Sequence, residues 1–497
     1  IQGNGKNMRI SMKKIVSFLC CLVPFGATAN QIDYGSDGVT VTLPNGLDTT
    51  GNFIRILGGA SMIVGANGLS VAGSLYVGKD GAEGSSSSTG NMYVMSASKI
   101  PYTITTTGNI KINDTLEIVA GRVLNIQNGS DANIDLELGT VAADGALYIA
   151  SNSAYNGIIN RVTANKITAK NALNITANSA DLGTVSVSGA DALLALNITG
   201  TLTVDGLYYQ YTGTNADIVG VINTGTGIQS RGSIQNLEGS GALTIKTTNG
   251  DVDVTGNIDN MAASMMTFDG GNITVTGTMS NQATGGTLKI LNASGLSVAG
   301  AGTGGVSFVN KGDFTAIVSG KTTFAYGMDL SGMTSSNAFN LTTGALDLGT
   351  MRDLQLTHGT VNITTTSISN GEMSFGTIGN ETDATITLSS AGDFYAQLVK
   401  NDSVLKIKTT GDSAVLNIDE IVLGANSDTT FETNSTLTMG GDISSAGKMS
   451  MTGANVTLQN VTNTGNMTIK APTDTTGTIM VNGNLVSSGD AQTLLYS

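Results

Sequence analysis

Gly250-Asp251-Val252-Asp253-Val254-Thr255-Gly256 is the stretch on which the fold turns. It returns one repeat later as Gly271-Asn272-Ile273-Thr274-Val275-Thr276-Gly277, and again as Ser294-Gly295-Leu296-Ser297-Val298-Ala299-Gly300. Apolar residues alternate with small polar ones in each copy, the period-2 signature of a strand with one buried face, and the flanking glycines permit tight bends. A single strand of this kind cannot bury its apolar face alone. Recurrence at roughly 20–25 residues therefore predicts a solenoid, whose coils stack and share one continuous core.

The pattern extends well beyond these copies. Gly68-Leu69-Ser70-Val71-Ala72-Gly73 matches Gly295 to Gly300 residue for residue, and Gly108-Asn109-Ile110-Lys111-Ile112, Ala242-Leu243-Thr244-Ile245 and Val404-Leu405-Lys406-Ile407 carry the same alternation. No segment sustains a helical i, i+3, i+4, i+7 stripe, so helices should be nearly absent. The four prolines, Pro24, Pro44, Pro101 and Pro472, leave residues 102–471 without one, as a stack of mutually paired strands requires. Trp is absent, which weighs against an array of immunoglobulin-like sandwiches.

Composition agrees with one long array rather than several different modules. Charged residues make up 12 % of the 497, far below the usual ~25 %, and 66 glycines are nearly twice the usual share. Hydrophobic residues at 40 % suffice for a core, so the polar excess belongs to turns and outward strand faces rather than to a disordered chain.

Residues 1–7 precede the first Met and carry no pattern. From Met8 or Met12 the chain reads as a secretory signal: Lys13-Lys14, the apolar run Ile15 to Phe25, and the small-residue site Ala27-Thr28-Ala29, with cleavage expected after Ala29. The run is too short to cross a bilayer. Both cysteines, Cys20 and Cys21, lie within this segment, so the mature chain is expected to hold no disulfide, zinc cluster or thiol nucleophile. A lipid anchor at Cys20 is disfavoured by the bulky Leu19 before it. Removal of residues 1–29 takes away Lys6, Arg9, Lys13 and Lys14 and no acid, leaving 19 bases against 37 acids and a net charge near −18. That charge opposes nucleic acid or anionic lipid as partner. Residues 30–101 read as an N-terminal cap and first coils, with a flexible Gly84 to Gly90 loop, and 102–497 as the array proper. No capping pattern is legible before Ser497, which leaves open that the sequence belongs to something longer.

Signal, Gly- and Asn-punctuated coils, scarce proline and absent mature cysteine together resemble the secreted right-handed β-helix adhesins of Gram-negative bacteria, the filamentous-haemagglutinin-like proteins and autotransporter passenger domains. The resemblance covers most of residues 60–490 and lies in pattern rather than in motifs. It implies an all-β, parallel, right-handed β-helix displayed at the bacterial surface. Such a rod would bind a host or neighbouring-cell protein or glycan, with an export or anchoring partner at the outer membrane. Leu43-Pro44-Asn45-Gly46-Leu47 matches the secretion motif of the haemagglutinins only in part, and no terminal membrane barrel follows, so the export route stays open.

Candidate chemistry is sparse. Asp251 and Asp253 share one strand face, as do Asp135 and Glu137, and a carboxylate pair serves glycoside hydrolysis or calcium binding when other groups converge on it. Calcium nonapeptide and EF-hand spacings are absent. His358 is the only histidine and is read as a surface or turn residue. Leu207-Tyr208-Tyr209-Gln210-Tyr211 is the densest aromatic run; alternation sets Tyr209 and Tyr211 opposite Tyr208, as an exposed pair able to stack on a sugar or anchor a protein, with an internal aromatic stack as the alternative. Met261, Met265 and Met266 are expected to fill an irregular coil or loop. The reading is a non-enzymatic adhesin-like stalk needing no cofactor or metal. Its rivals are a β-helix polysaccharide lyase or glycoside hydrolase and a structural repeat of a surface layer or fibre. Val254 and Val275 should be buried neighbours in adjacent coils, and the mature chain should make about 19–23 coils and a rod of about 90–110 Å.

Overall fold

The structure, a computed structural model, describes residues 102–496 apart from 216–217, 303–304, 350–351, 369–370, 382 and 472–476, together with short segments between 31 and 95. The expected signal, the cap and the glycine-serine loop lie outside the described residues, save for those short segments.

Every strand pairing is parallel, and no helix occurs among the described residues. The strands stack as a β-solenoid of about 17 turns. Coil length varies because turns absorb insertions that strands cannot: a short coil carries Arg161 to its partner Ser179, whereas a much longer one carries Met279 to its partner Phe308. Fewer turns are seen than sequence periodicity predicts, since most of residues 30–101 fall outside the described set and coils such as that from Met279 to Phe308 are longer than the repeat that opens the sequence.

One face of the rod runs without interruption from Tyr102–Thr106 to Gln492–Tyr496. Its inward positions form two apolar columns. Tyr102, Leu124, Leu147, Leu173 and Leu194 follow one another in register, and two residues further along stand Ile104, Ile126, Ile149, Ile175 and Leu196. All ten are buried, and each buried aliphatic side chain contributes roughly 1.5–3 kcal/mol over its exposed state. A second stack carries the repeat that opens the sequence: Val252 pairs with Ile273 and Ile273 with Leu296, while Val254 pairs with Val275 and Val275 with Val298. Val254 and Val275 are buried as expected, and Leu69, from the earlier identical hexapeptide, lies in the same column through its pairing with Ile110.

In early coils this second stack consists of long strands such as Ile134–Ala143 and Ser179–Gly189 that bend at a corner; from Gly227 onward it divides into Gly227–Ser230 and Ile234–Asn236 and their successors. The corner is tight enough to require glycine. A Cβ on Gly256 would stand 2.5 Å from the Gly232 carbonyl carbon, one on Gly277 2.4 Å from the Gly256 oxygen, and one on Gly300 2.5 Å from Gly277. The glycines that close each repeat thus form a column of close backbone approach. A separate ten-stranded sheet begins at Leu354–Leu356, where the later coils are rearranged.

Beyond the split, the third short face is held by a buried asparagine ladder. Asn236 donates from Nδ2 to Asn260 Oδ1 at 3.1 Å, Asn260 to Asn281 at 3.0 Å, and Asn281 to Asn310 at 2.9 Å. A shorter ladder joins Asn380 to Asn401 at 2.7 Å. Each rung donates in the same direction, so the first acceptor of each ladder, Asn236 Oδ1 or Asn380 Oδ1, finds no partner among the described residues. The preceding coils set Tyr209 and Leu356 beside them.

Candidate functional site: the outer face of the coils

The strand Thr201–Tyr211 decides the aromatic run. Leu202 and Val204 point inward, Asp205 outward, and at the corner Gly206 and Leu207 are both buried, which shifts the inward phase by one residue. Leu207, Tyr209 and Tyr211 consequently share the core face and Tyr208 is half-buried. The exposed-pair reading of Tyr209 and Tyr211 is therefore corrected in favour of the internal alternative: both rings are buried. Tyr209 reaches across the core to Gly220, where the leucine-rich column lacks a side chain; a Cβ there would lie 3.2 Å from two ring atoms. Its hydroxyl donates to the Ala192 carbonyl at 3.3 Å, and burial, then the neighbouring Tyr211, pushes its pKa up to about 12. Tyr211 accepts from the Asn215 amide at 3.3 Å. Both are packing residues.

Asp251 and Asp253 stand on the outward face, opposite buried Val252 and Val254. Asp251 Oδ1 accepts the backbone amide of Asn272, in the next coil, at 2.8 Å. This use of side-chain oxygens recurs along the rod: Asp313 accepts from Ala338, Asp353 from Thr377 and Asp393 from Val415 in the same way. Carboxylates at these bends satisfy amides that the ladders leave unpaired, a role the sequence reading missed although acidic residues recur beside its turns. Asp135 and Glu137 are also engaged, with Asn160 at 2.9 Å and Lys111 at 2.7 Å. His358 is exposed in a bend. Met265 and Met266 belong to the strand Met265–Asp269 rather than to a loop, and Met266 joins the apolar column between Leu243 and Leu288. Met261 is exposed between strands.

Three concavities bring polar side chains together. The first, about 430 Å³, is a shelf along the second stack containing Lys111, Glu137, Asp181, Asp205 and Arg231. Arg231 bridges both aspartates, to Asp205 at 2.6 Å and Asp181 at 3.0 Å, while Arg161 reaches Asp181 at 3.5 Å. Hydrogen bonds from these carboxylates, first Asp205 and then Asp181, push the Arg231 pKa above its ordinary value. Each carboxylate thus has a guanidinium partner. The second concavity, also about 430 Å³, lies where the ten-stranded sheet begins and is lined by Tyr326, Asp329, Ser331, Arg352, Asp353 and Gln355. A third, about 570 Å³, contains Lys321 paired with Asp347 at 2.6 Å; that bond, with the Gly349 amide, lowers the Asp347 pKa. Among the described residues no group of His, Cys, Asp and Glu is placed to hold a metal ion, and no helix is long and apolar enough to cross a membrane.

These features define the chain as a parallel β-solenoid with an outward surface of paired charges and shallow polar concavities. No family model matches the sequence, and no curated protein or solved structure matches it either.

Proposed function

We propose that the protein is a secreted or cell-surface adhesin-like stalk, without enzymatic activity, that presents its outer faces to a protein or glycan on a host or neighbouring cell. The observation that carries this reading is the uninterrupted stack of about 17 turns, an architecture that projects a surface over a long distance. Carboxylates on its flanks are already committed, to Arg231 in the shelf and to backbone amides at the bends. The signal-like segment at residues 8–29 and the low cationic content support export and surface display.

Expression with the native leader tests it. The exported product should begin at Asn30, and purified rods should bind intact cells saturably; retention of Cys20 or failure to bind any cell type would overturn the reading. The second reading, a polysaccharide-degrading enzyme, draws on the Asp181-Arg231-Asp205 cluster. It requires release of reducing ends or unsaturated products from a polysaccharide, abolished by Asp181→Asn or Asp205→Asn.

A further inference from the structure

The concavity at the start of the ten-stranded sheet differs from the shelf in having an exposed aromatic ring and a cation without an ionic partner. Tyr326 is 41 % exposed, and the Arg352 guanidinium carbon lies 5.7 Å from its ring centroid. Among the described residues Arg352 makes no ion pair, whereas Arg231 and Arg161 are bound by carboxylates. Its stem is seated by Gly327, which lies at φ +79°: a Cβ there would meet Arg352 Cβ at 3.2 Å and Cγ at 3.3 Å. The Tyr326 amide is fixed by donation to Ser307 Oγ at 2.9 Å. The guanidinium thus lies over the Tyr326 ring, with its stem against Gly327 and the Tyr326 backbone tied to Ser307.

Two acceptors line the same concavity. Asp329 accepts from the Ser331 amide at 2.9 Å and its hydroxyl at 2.7 Å, and Asp353 accepts the Thr377 amide at 2.7 Å. Each is oriented by these bonds and keeps lone pairs for another donor, while Gln355 adds an amide. A volume of about 430 Å³ falls within the range of small-ligand sites.

We propose that this notch binds a neutral pyranose unit of a surface glycan. The C–H face of a sugar ring stacks on Tyr326, its hydroxyl oxygens accept from Arg352 and Gln355, and its hydroxyl hydrogens go to Asp329 and Asp353. Two carboxylates against one guanidinium, on a chain of net charge −14, disfavour an acidic sugar in the same place. The proposal deepens the adhesin reading, on which it rests for the source of the glycan.

Saturation-transfer NMR of the full chain with methyl α-glucopyranoside, methyl α-mannopyranoside and methyl β-galactopyranoside, and with glucuronic acid as the charged comparison, tests it. At least one neutral glycoside should bind, with Kd on the order of 1 mM. Tyr326→Ala and Arg352→Gln should each weaken it about tenfold or more, and Tyr326→Phe should retain it. Unchanged melting of the variants establishes that the fold survives. No binding by any neutral glycoside, equal binding by the folded Ala or Gln variants, or stronger binding of glucuronic acid would overturn the proposal. Cell binding measured on the same variants separates the two readings: rods that still adhere when the notch binds no sugar retain the adhesin reading and lose this one, whereas sugar binding without cell binding does the reverse.

Discussion

At the scale of the residue, one strand shows how differently neighbouring positions are used. Val254 is buried between Ser230 and Val275, and Asp253 beside it faces water. Val254→Asp puts a carboxylate among aliphatic side chains and should cost roughly 3 kcal/mol or more, less whatever protonation or local opening relieves. Asp253→Ser should cost about 0.5 kcal/mol or less. Denaturant melts of the two variants compare the faces directly, and equal losses would mean that the strand register is wrong. Tyr209 offers a second check. Its phenol should stay protonated after ordinary tyrosines have ionised, so absorbance at alkaline pH should show one group titrating near 12 that Tyr209→Phe removes. Because the folded pKa is raised above the unfolded value of 10.0, the stability tied to this proton is complete below pH 10 and falls as pH climbs toward about 12. If the group that Tyr209→Phe removes titrates near 10 instead, Tyr209 is in contact with water.

At the scale of the element, the asparagine ladder links coils that the apolar columns alone would leave free to slide. Asn281 accepts from Asn260 and donates from Nδ2 to Asn310, with the Gly286 and Asp313 carbonyls also within reach. Removing that amide strands a buried donor on one side and acceptors on the other, so Asn281→Ala should destabilise by about 2–4 kcal/mol. Chemical denaturation gives the value, and a loss below about 0.5 kcal/mol would show that the ladder is dispensable. Outward charge pairs act far more weakly. Lys246–Asp269 and Lys111–Glu137 join adjacent coils, and each exposed pair contributes about 0–1 kcal/mol. Cohesion along the rod therefore comes from inside.

At the scale of the molecule, about 17 turns spaced by roughly 4.8 Å give a stack on the order of 80 Å, shorter than the rod expected from the whole mature sequence because residues before 102 add little to the described stack. Small-angle scattering should return a maximum dimension of about 80 Å or more. A value of about 60 Å or less would contradict a continuous solenoid. Four phenylalanines, Phe308, Phe314, Phe324 and Phe339, cluster where strands of three coils meet, with centroid separations of 4.7 to 5.9 Å. They fill the interior just before the ten-stranded sheet begins and the surface notch forms.

The sequence by itself determined the parallel stack, because period-2 alternation bounded by glycine specifies a strand with one buried face, and its repetition leaves stacking as the way to bury that face. It also carried the asparagine ladder, legible as an asparagine two positions after each of Ile234, Ile258, Met279 and Phe308, though the unequal spacing of those four hid the repeat. Only the tertiary structure decided which face Tyr209 occupies, since the corner at Gly206 shifts the alternation and Gly220 supplies the room in another strand. The same holds for the outer surface. Asp181 and Arg231, two coils apart, and Tyr326 and Arg352, in adjacent coils, meet because coils of unequal length bring them into line, and turn lengths that leave no periodic signal set that alignment.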